Sequence, residues 1–343
     1  MAEDARGAVP EEMDGLSIED ATDRILERED APDRDAVRDR LAYVTTDGVV
    51  CREGIEDGLT EVAEIISTPE NRIDLARREF ETATELAEPV ADLPIVAARL
   101  ETFEERLLGL KEEIDRLGPE LNELFNEWLA EPDDVYAMAD ALYQHATRGQ
   151  QTHRMTDELI TDLESFQEWV RHEDVRFEEL RRDAEGVADS LDDIEDALAT
   201  LPASDDRDAS DGTNQASGSF DGAEEPEPVF VWVDAAMRHR LVGLLVDDLE
   251  TELRGLRTWA DRAGDGERAD DIEERISEIR ERWADLEARI DAAARPAWRD
   301  RFADRLDAFE ADLAAFEPPV DWGEVQGTLQ EHQAEIAPGT TAE

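Results

Sequence analysis

Residues 93–128 read LPIVAARLETFEERLLGLKEEIDRLGPELNELFNEW, and the spacing of their apolar side chains decides the fold class. These side chains recur three and four residues apart in turn, which is the heptad spacing of a helix that packs along one seam. The seam consists of Leu93, Val96, Leu100, Phe103, Leu107, Leu110, Ile114, Leu117, Leu121, Leu124 and Trp128. Gly118-Pro119 lies inside it, and because proline disfavours a helix interior we expect a kink or a short break there.

A second seam begins after Glu131-Pro132 and continues to Leu201-Pro202. One unbroken helix of this length would measure roughly 105 Å. In its middle the same register places small or polar residues on the seam, namely His145, Gly149, Thr152 and Thr156. We interpret these four residues as a polar layer that fixes helix register, and we predict a helix break near Arg148-Gly149-Gln150. If the helices could pack in two ways at this layer, a partner that prefers one packing would shift the population toward it, and a signal could be relayed along the coiled coil.

A shorter stretch, 69–88, shows the same heptad spacing and follows Thr68, which suits the start of a helix. Because the breaks between these helices are short, we predict that residues 68–202 fold back on themselves as a long antiparallel coiled-coil domain. Self-association through the same seams stays open as an alternative.

Residues 203–228 contain few large apolar side chains and many Ser, Asp, Gly and Pro, which predicts a disordered acidic linker. Beyond it, three segments with apolar faces predict a three-helix bundle over residues 229–338, and a short helix is expected near its end. The termini, 1–12 and 339–343, are expected to be disordered. The predicted fold class is all-α, a long antiparallel coiled coil or helical bundle plus a C-terminal three-helix bundle.

The charge balance predicts a habitat. The chain carries 92 Asp and Glu against 35 Lys and Arg, for a net charge of −57, and Lys111 is its one lysine. This pattern is typical of proteins adapted to molar salt, where a Debye length of about 3 Å screens the repulsion. We find no apolar stretch of membrane-spanning length and no basic, apolar leader, so we predict a cytoplasmic protein of a halophile without membrane insertion. The single cysteine, Cys51, excludes an internal disulfide.

Residues 13–67 differ from the rest, since three short apolar patterns predict a small helical module of the helix-turn-helix type. If this module bound DNA, its arginines would contact phosphates. The candidates are Arg34, Arg38, Arg40 and Arg52. Carboxylates alternate with these arginines, so no basic stripe forms, and phosphate contacts weaken with salt. We therefore favour a small interaction module and keep DNA binding as the alternative.

Other chemistry finds little support in the sequence. Asp47-Gly48 imitates the turn of a calcium-binding EF-hand, but the alignment puts Tyr43 and Gly54 where carboxylates are needed. No histidine follows a Glu by three residues, as di-iron bundles require. Phosphate-binding glycine loops and nucleophile elbows are also missing. We predict no catalytic, cofactor-binding or metal-binding residues, and no enzymatic activity.

Four short stretches resemble a group of haloarchaeal proteins called halo transducer proteins, over residues 16–201. The stretches are Leu16-Ser17-Ile18-Glu19-Asp20-Ala21, Thr46-Asp47-Gly48-Val49-Val50, Ser67-Thr68-Pro69-Glu70 and Leu93-Pro94-Ile95-Val96-Ala97-Ala98-Arg99-Leu100. The resemblance implies sensory signalling through long coiled coils. The chain departs from chemoreceptors of that type because it lacks transmembrane helices and a kinase-contacting hairpin tip.

Taken together, these patterns predict a non-enzymatic coiled-coil scaffold or signal-relay protein without a cofactor. Its partners would be other proteins. The alternative is a transcription-associated protein that binds DNA through residues 13–67.

Overall fold

The computed structural model describes residues 9–27, 33–130, 134–202, 227–263 and 269–336. Within these ranges the chain forms ten α-helices and one two-stranded hairpin, which confirms the predicted all-α class. The helices are α1 (Ile18–Leu26), α2 (Arg34–Leu41), α3 (Arg52–Ala87), α4 (Pro94–Ala130), α5 (Val135–Arg171), α6 (Glu173–Ala199), α7 (Pro228–Ala263), α8 (Ala269–Ala293), α9 (Pro296–Leu313) and α10 (Trp322–Ile336). Of the predicted disordered segments, 339–343, most of 203–228 and most of 1–12 lie outside the described residues.

The chain divides into two compact units whose limits differ from those of the predicted domains. Unit 1 comprises Met1–Glu88 and Leu100–Gln167, and unit 2 comprises Pro89–Arg99 and Glu168–Glu343. Helix α6, which we placed in the coiled-coil domain, therefore groups with the C-terminal helices. The predicted boundary between residues 67 and 68 is absent as well, because α3 continues through Pro69 as one helix.

The N-terminal part of unit 1 is a small helical module, as the apolar patterns of residues 13–67 indicate. Helix α1 begins where the Ser17 side chain accepts a hydrogen bond from the Asp20 backbone N–H at 3.1 Å. Helix α2 begins in the same way, with Asp33 accepting from the Asp35 N–H at 3.1 Å. The module encloses a core of fully buried apolar side chains. They include Ala21, Ile25, Val37, Leu41, Val44, Val50, Ile55 and Val62.

A hairpin of two strands, β1 (Thr45–Thr46) and β2 (Val49–Val50), connects α2 to α3. We did not predict these strands. Asp47 and Gly48 both have positive φ, 52° and 76°, which a tight two-residue hairpin turn requires at both central positions. The Asp-Gly pair between two β-branched pairs is the sequence signal that specifies this turn.

Helices α3, α4 and α5 form the longer part of unit 1. Helices α3 and α5 are parallel: Gly149 lies against Ile65, and Arg72 donates to Asp157 at 2.7 Å farther along both helices. Helix α4 is antiparallel to both of them. Its start lies beside the end of α5, where the rings of Phe103 and Phe166 are 5.4 Å apart. This up-down-up arrangement agrees with the predicted antiparallel folding of the seams.

Two predicted helix breaks, the short break at Gly118-Pro119 and the one near 148–150, do not occur. Helix α4 has no break at Gly118-Pro119, where Leu117 and Leu121 are buried on either side and their burial offsets the lost backbone hydrogen bond. Helix α5 has no break at 148–150. Because Gly149 has no side chain, α3 can pack closely against α5 at this position. The second seam is interrupted instead at His172, between α5 and α6.

Unit 2 is built around α7. Helices α7 and α8 are antiparallel, since Trp232 donates to the Ile290 carbonyl at 3.1 Å near one end and Arg257 donates to Glu273 at 2.6 Å near the other. Helix α6 packs against both of them and buries its apolar seam there. The buried seam residues are Phe177, Leu180, Val187, Leu191 and Ile194.

Helices α9 and α10 complete unit 2. Helix α9 lies parallel to α7, with Phe230 and Phe302 ring centroids 6.2 Å apart and Arg240 donating to Glu310 at 3.1 Å. Helix α10 packs against α9, as expected for the short C-terminal helix. The C-terminal bundle therefore contains α6 in addition to the three predicted helices, because the seam of α6 finds its apolar partners in α7 and α8.

Candidate functional site

Arg99 connects several partly buried polar side chains in unit 2. It lies in the second turn of α4, and its side chain is 29% exposed. Its Nη2 donates to Glu179 Oε1 at 2.8 Å and to Glu252 Oε1 at 2.9 Å. One guanidinium nitrogen thus connects the start of α4 to both α6 and α7.

Two further carboxylates adjoin this pair one helical turn away. Asp183 follows Glu179 on α6 and is exposed, whereas Asp248 precedes Glu252 on α7 and is half-buried. Asp248 Oδ2 accepts a hydrogen bond from Trp322 Nε1 at 3.0 Å, and its Oδ1 accepts one from the Val320 N–H at 3.3 Å. We call the side chains of Arg99, Glu179, Asp183, Asp248 and Glu252 the Arg99 cluster.

Positive charge in the Arg99 cluster is scarce. Burial raises the pKa of Glu252 to about 7, and the attraction of Arg99 only partly opposes this effect. Burial also raises the pKa of Asp248, although the hydrogen bonds from Trp322 and Val320 lower it. Near neutral pH the Glu252 carboxyl therefore exchanges between a protonated and an ionised form.

Aromatic rings cover the other side of the Arg99 guanidinium. It lies 4.2 Å from the ring centre of Trp169, and Trp169 meets Trp259 edge to face at 5.5 Å. Arg176 lies 3.9 Å from the ring centre of Trp259. Cation–π contacts of this kind stabilise weakly hydrated guanidinium groups in partly desolvated places.

Arg176 also explains where the second seam breaks. Its Nη1 donates to the carbonyls of Trp169 and Val170 at 2.9 and 3.0 Å. These carbonyls belong to the last turn of α5, where backbone acceptors have no partner within the helix. The buried guanidinium replaces those partners, so the chain can leave α5 at His172 and restart as α6.

The predicted polar layer of unit 1 occupies one buried face, but its polar atoms bond within their own helix. Thr152 and Thr156 are 3% and 0% exposed, and their hydroxyls donate to the carbonyls four residues earlier at 2.9 and 2.7 Å. His145 Nδ1 lies 2.9 Å from the Ala141 carbonyl, and its Nε2 lies 3.9 Å from Glu120. Gly149 has no polar side chain and packs against α3. The four residues share a face without forming a hydrogen-bonded network across helices.

All four arginines considered for DNA contacts face carboxylates. Arg34 pairs with Asp23, and Arg38 lies 3.4 Å from Glu19. Arg40 pairs with Asp140 of α5 and also lies 5.0 Å from the ring centre of Tyr143. Arg52 donates to Glu56 at 2.9 Å on the same helix. These arginines are already partly neutralised, so the structure does not bring them together as a phosphate-binding surface.

The described ranges offer neither a metal site nor a membrane span. No group of three or more His, Cys, Asp and Glu side chains there is placed to hold a metal ion. No helix in those ranges has an apolar segment long enough to cross a bilayer.

A groove of about 450 Å³ lies between α7, α8 and α9. His239 and Trp283 stack beside it with ring centres 5.1 Å apart, and the Nε2 of His239 and the Nε1 of Trp283 each donate to the other residue's backbone carbonyl at 2.9 Å. Burial lowers the pKa of His239, which favours its neutral form. The pair holds α7 against α8.

The sequence reasoning missed the Arg99 cluster. Its signal lay in two acidic pairs spaced four residues apart, Glu179 with Asp183 and Asp248 with Glu252, each beside apolar seam residues. Arg99 supplied no sequence signal, because only tertiary packing brings the start of α4 to these helices. Comparison with known protein families, curated proteins and solved structures finds no match to this chain.

Proposed function

We propose that this chain is a non-enzymatic scaffold or signal-relay protein of the cytoplasm of a halophile, and that the Arg99 cluster is the element through which it changes packing. The observation that supports this role is the excess of carboxylates over positive charge in the cluster. One guanidinium serves the carboxylates of Glu179 and Glu252 directly, with two more carboxylates adjoining them.

A partly neutralised cluster suits relay because its two charge states favour different packings. With Glu252 protonated, the Arg99 charge balances Glu179 and the start of α4 stays held against α6 and α7. With Glu252 ionised, the excess negative charge repels Asp248, which anchors the segment 320–322. A partner that contacts one arrangement more strongly would shift the population toward it.

A scaffold role also agrees with how the chain uses its other polar groups. The hydroxyls of the unit 1 seam bond to helix carbonyls, and the arginines of the N-terminal module bond to neighbouring carboxylates. The arginine pairs join α2 to α1 and to α5, and the hydroxyl bonds leave no seam hydroxyl free. The resemblance to halo transducer proteins points to the same class of role.

Affinity purification at native salt tests this proposal. Tagged wild-type protein and the Glu252→Gln variant would be recovered from the same lysate, and co-purifying proteins would be quantified by mass spectrometry. We expect specific protein partners whose recovery differs between the two baits, because Gln fixes the neutral state of the cluster. Arg275→Gln, which alters an exposed ion pair with Glu278 on α8, serves as the control and should recover the wild-type set.

The same purification addresses the alternative role in transcription. Discrete DNA sites enriched with the wild-type bait would favour DNA binding through residues 13–67 and would contradict the scaffold proposal. Partner recovery that is identical for wild type and Glu252→Gln would contradict the assignment of the Arg99 cluster as the responsive element.

A further inference from the structure

Helix α9 carries arginines that lie on aromatic rings instead of carboxylates. Arg295 lies 4.8 Å from the ring centre of Trp298, and Arg301 lies 4.8 Å from that of Phe302 and 5.2 Å from that of Phe230. We call the surface formed by these residues and Arg305, which lies 5.8 Å from the Phe302 ring centre, the α9 arginine surface.

Many arginines of unit 2 form ion pairs, but those of the α9 arginine surface form none with the described residues. Elsewhere in unit 2, Arg257 contacts both Asp270 and Glu273, and Arg282 contacts Asp192 and Glu195. By contrast, no carboxylate in the part of the chain that the structure describes lies within 4 Å of the guanidinium groups of Arg295, Arg301 or Arg305. This holds although exposed aspartates occupy the same helix, at Asp300, Asp304 and Asp307.

The rings orient the guanidinium groups for binding. A guanidinium on an aromatic face loses little hydration and keeps its N–H groups directed outward in one plane. The ring of Phe302 is fully buried and cannot move easily, which limits the freedom of Arg301 above it. Two parallel N–H groups of a guanidinium can donate to the two oxygens of one carboxylate.

We propose that the α9 arginine surface binds a short acidic segment of a protein partner through its carboxylates. The surface spans about 15 Å along the helix axis, from Arg295 to Arg305. A partner must therefore concentrate its negative charge within this length. A nucleic acid would extend its phosphates beyond the surface and over the acidic remainder of a chain with net charge −57.

Fluorescence anisotropy with the full-length protein tests this inference. The probe is a fluorescein-labelled peptide of about 12 residues, rich in Glu and Ala, which spans about 18 Å as a helix. The measurement uses the lowest KCl concentration at which circular dichroism shows the folded protein. The same peptide with Gln in place of Glu, and single-stranded DNA of equal charge, are the comparison ligands. We expect the Glu peptide to bind and the Gln peptide not to bind.

Variants then locate the binding. The double substitution Arg301→Gln with Arg305→Gln should weaken peptide binding about tenfold or more, since the charge-assisted hydrogen bonds of both arginines are lost. The matched double variant Arg181→Gln with Arg275→Gln removes the same charge from exposed arginines that already pair with Glu178 and Glu278, and should change the affinity less than about twofold. Arg301→Lys with Arg305→Lys keeps the charge and should lose part of the affinity.

Each opposing outcome is decisive. Equal weakening by both double variants, or equal binding of the Gln peptide, would overturn the proposal. Tighter binding of the DNA through Arg301 and Arg305 would assign the surface to nucleic acid instead. The acidic stretch 205–224 of the same chain could compete with the peptide, so a deletion variant that lacks this stretch is tested too. Failure of the peptide to bind either protein would also overturn the proposal. None of these substitutions touches the Arg99 cluster, so the relay proposal is tested separately.

Discussion

The unit 1 seam and the Arg99 cluster of unit 2 both place polar side chains between helices, but they satisfy them differently. In unit 1, Thr152 and Thr156 bond to carbonyls of their own helix, so each hydroxyl is satisfied wherever the neighbouring helices lie. In unit 2, Arg99 and Asp248 bond to partners on other chain segments, so their satisfaction depends on how those segments pack. The Arg99 cluster couples a change of charge to packing, because the pKa of Glu252 is raised to about 7, and we therefore place the responsive element in unit 2.

The largest expected effect comes from removing the one positive charge of the cluster. Arg99→Gln leaves Glu179 and Glu252 without their shared cation, and should lower the free energy of unfolding of unit 2 by about 3 to 4 kcal/mol. The control, Arg275→Gln, should change it by less than about 1 kcal/mol. Denaturant unfolding followed by tryptophan fluorescence at constant KCl measures both. Similar small losses for the two variants would show that the cluster contributes no more than an exposed pair.

The pH dependence of stability should come next in size. The pKa of Glu252 rises from 4.5 to about 7 on folding, so between these values the folded chain holds a proton that the unfolded chain releases. Stability from this group is therefore fully present at low pH and is lost as pH rises through about 7. Glu252→Gln should remove this loss and make the protein about 3 kcal/mol more stable than wild type near pH 8, with a difference below about 1 kcal/mol near pH 5. Parallel pH profiles for the two proteins would contradict this prediction.

Two glycines sharpen the comparison at a smaller scale. A Cβ on Gly255 of α7 would lie 2.8 Å from Ile95 Cδ1, whereas a Cβ on Gly149 of α5 would lie 3.1 Å from Ile65 Cγ2. Gly255→Ala should therefore destabilise unit 2 by about 1 to 2 kcal/mol, because Ile95 must move. Gly149→Ala should be nearly neutral, since better helix propensity offsets milder crowding. Thermal unfolding of both variants checks the difference, and equal shifts would contradict it.

The smallest effect is expected in the unit 1 seam. Thr156→Val replaces a fully buried hydroxyl and keeps the side-chain shape; among the described residues this hydroxyl bonds to the carbonyl of Thr152, on the same helix. The free energy of unfolding should change by less than about 1 kcal/mol. A loss of several kcal/mol would mean that the hydroxyl also stabilises packing between helices. The seam of unit 1 would then resemble the Arg99 cluster of unit 2.

Heptad spacing was sufficient to predict the all-α class and the antiparallel folding of α3, α4 and α5, because burial of one apolar face dominates such helices. The same reasoning misplaced the helix break. The low helix propensity of Gly149 suggested a break. In the structure the helix continues, and Gly149 packs against Ile65 of α3. The real break at His172 depends on Arg176, whose bonds to carbonyls six and seven residues earlier cannot be read from heptad spacing.

The candidate site was less predictable than the fold. Carboxylates are very numerous in this chain, so the four of the Arg99 cluster could not be distinguished from the others in the sequence. Only the structure shows which carboxylates lie near Arg99. The alternation of arginines with carboxylates in residues 13–67 did carry information, since the structure shows each candidate arginine facing a carboxylate. Three of these four pairs form within the N-terminal module, whereas Arg40 pairs with Asp140 of α5 and the contacts of Arg99 join residues as far apart as 99 and 252.

Hydrogen exchange in the segments 94–99 and 320–326 tests the central claim most directly, because both segments are held by the Arg99 cluster. Wild type and Glu252→Gln would be compared from about pH 6 to about pH 8 at constant KCl, after correction for the intrinsic pH dependence of exchange. We expect protection of both segments to fall with rising pH in wild type and to stay constant in Glu252→Gln. Equal, pH-independent protection in the two proteins would contradict the account, since the charge of Glu252 would then have no effect on packing.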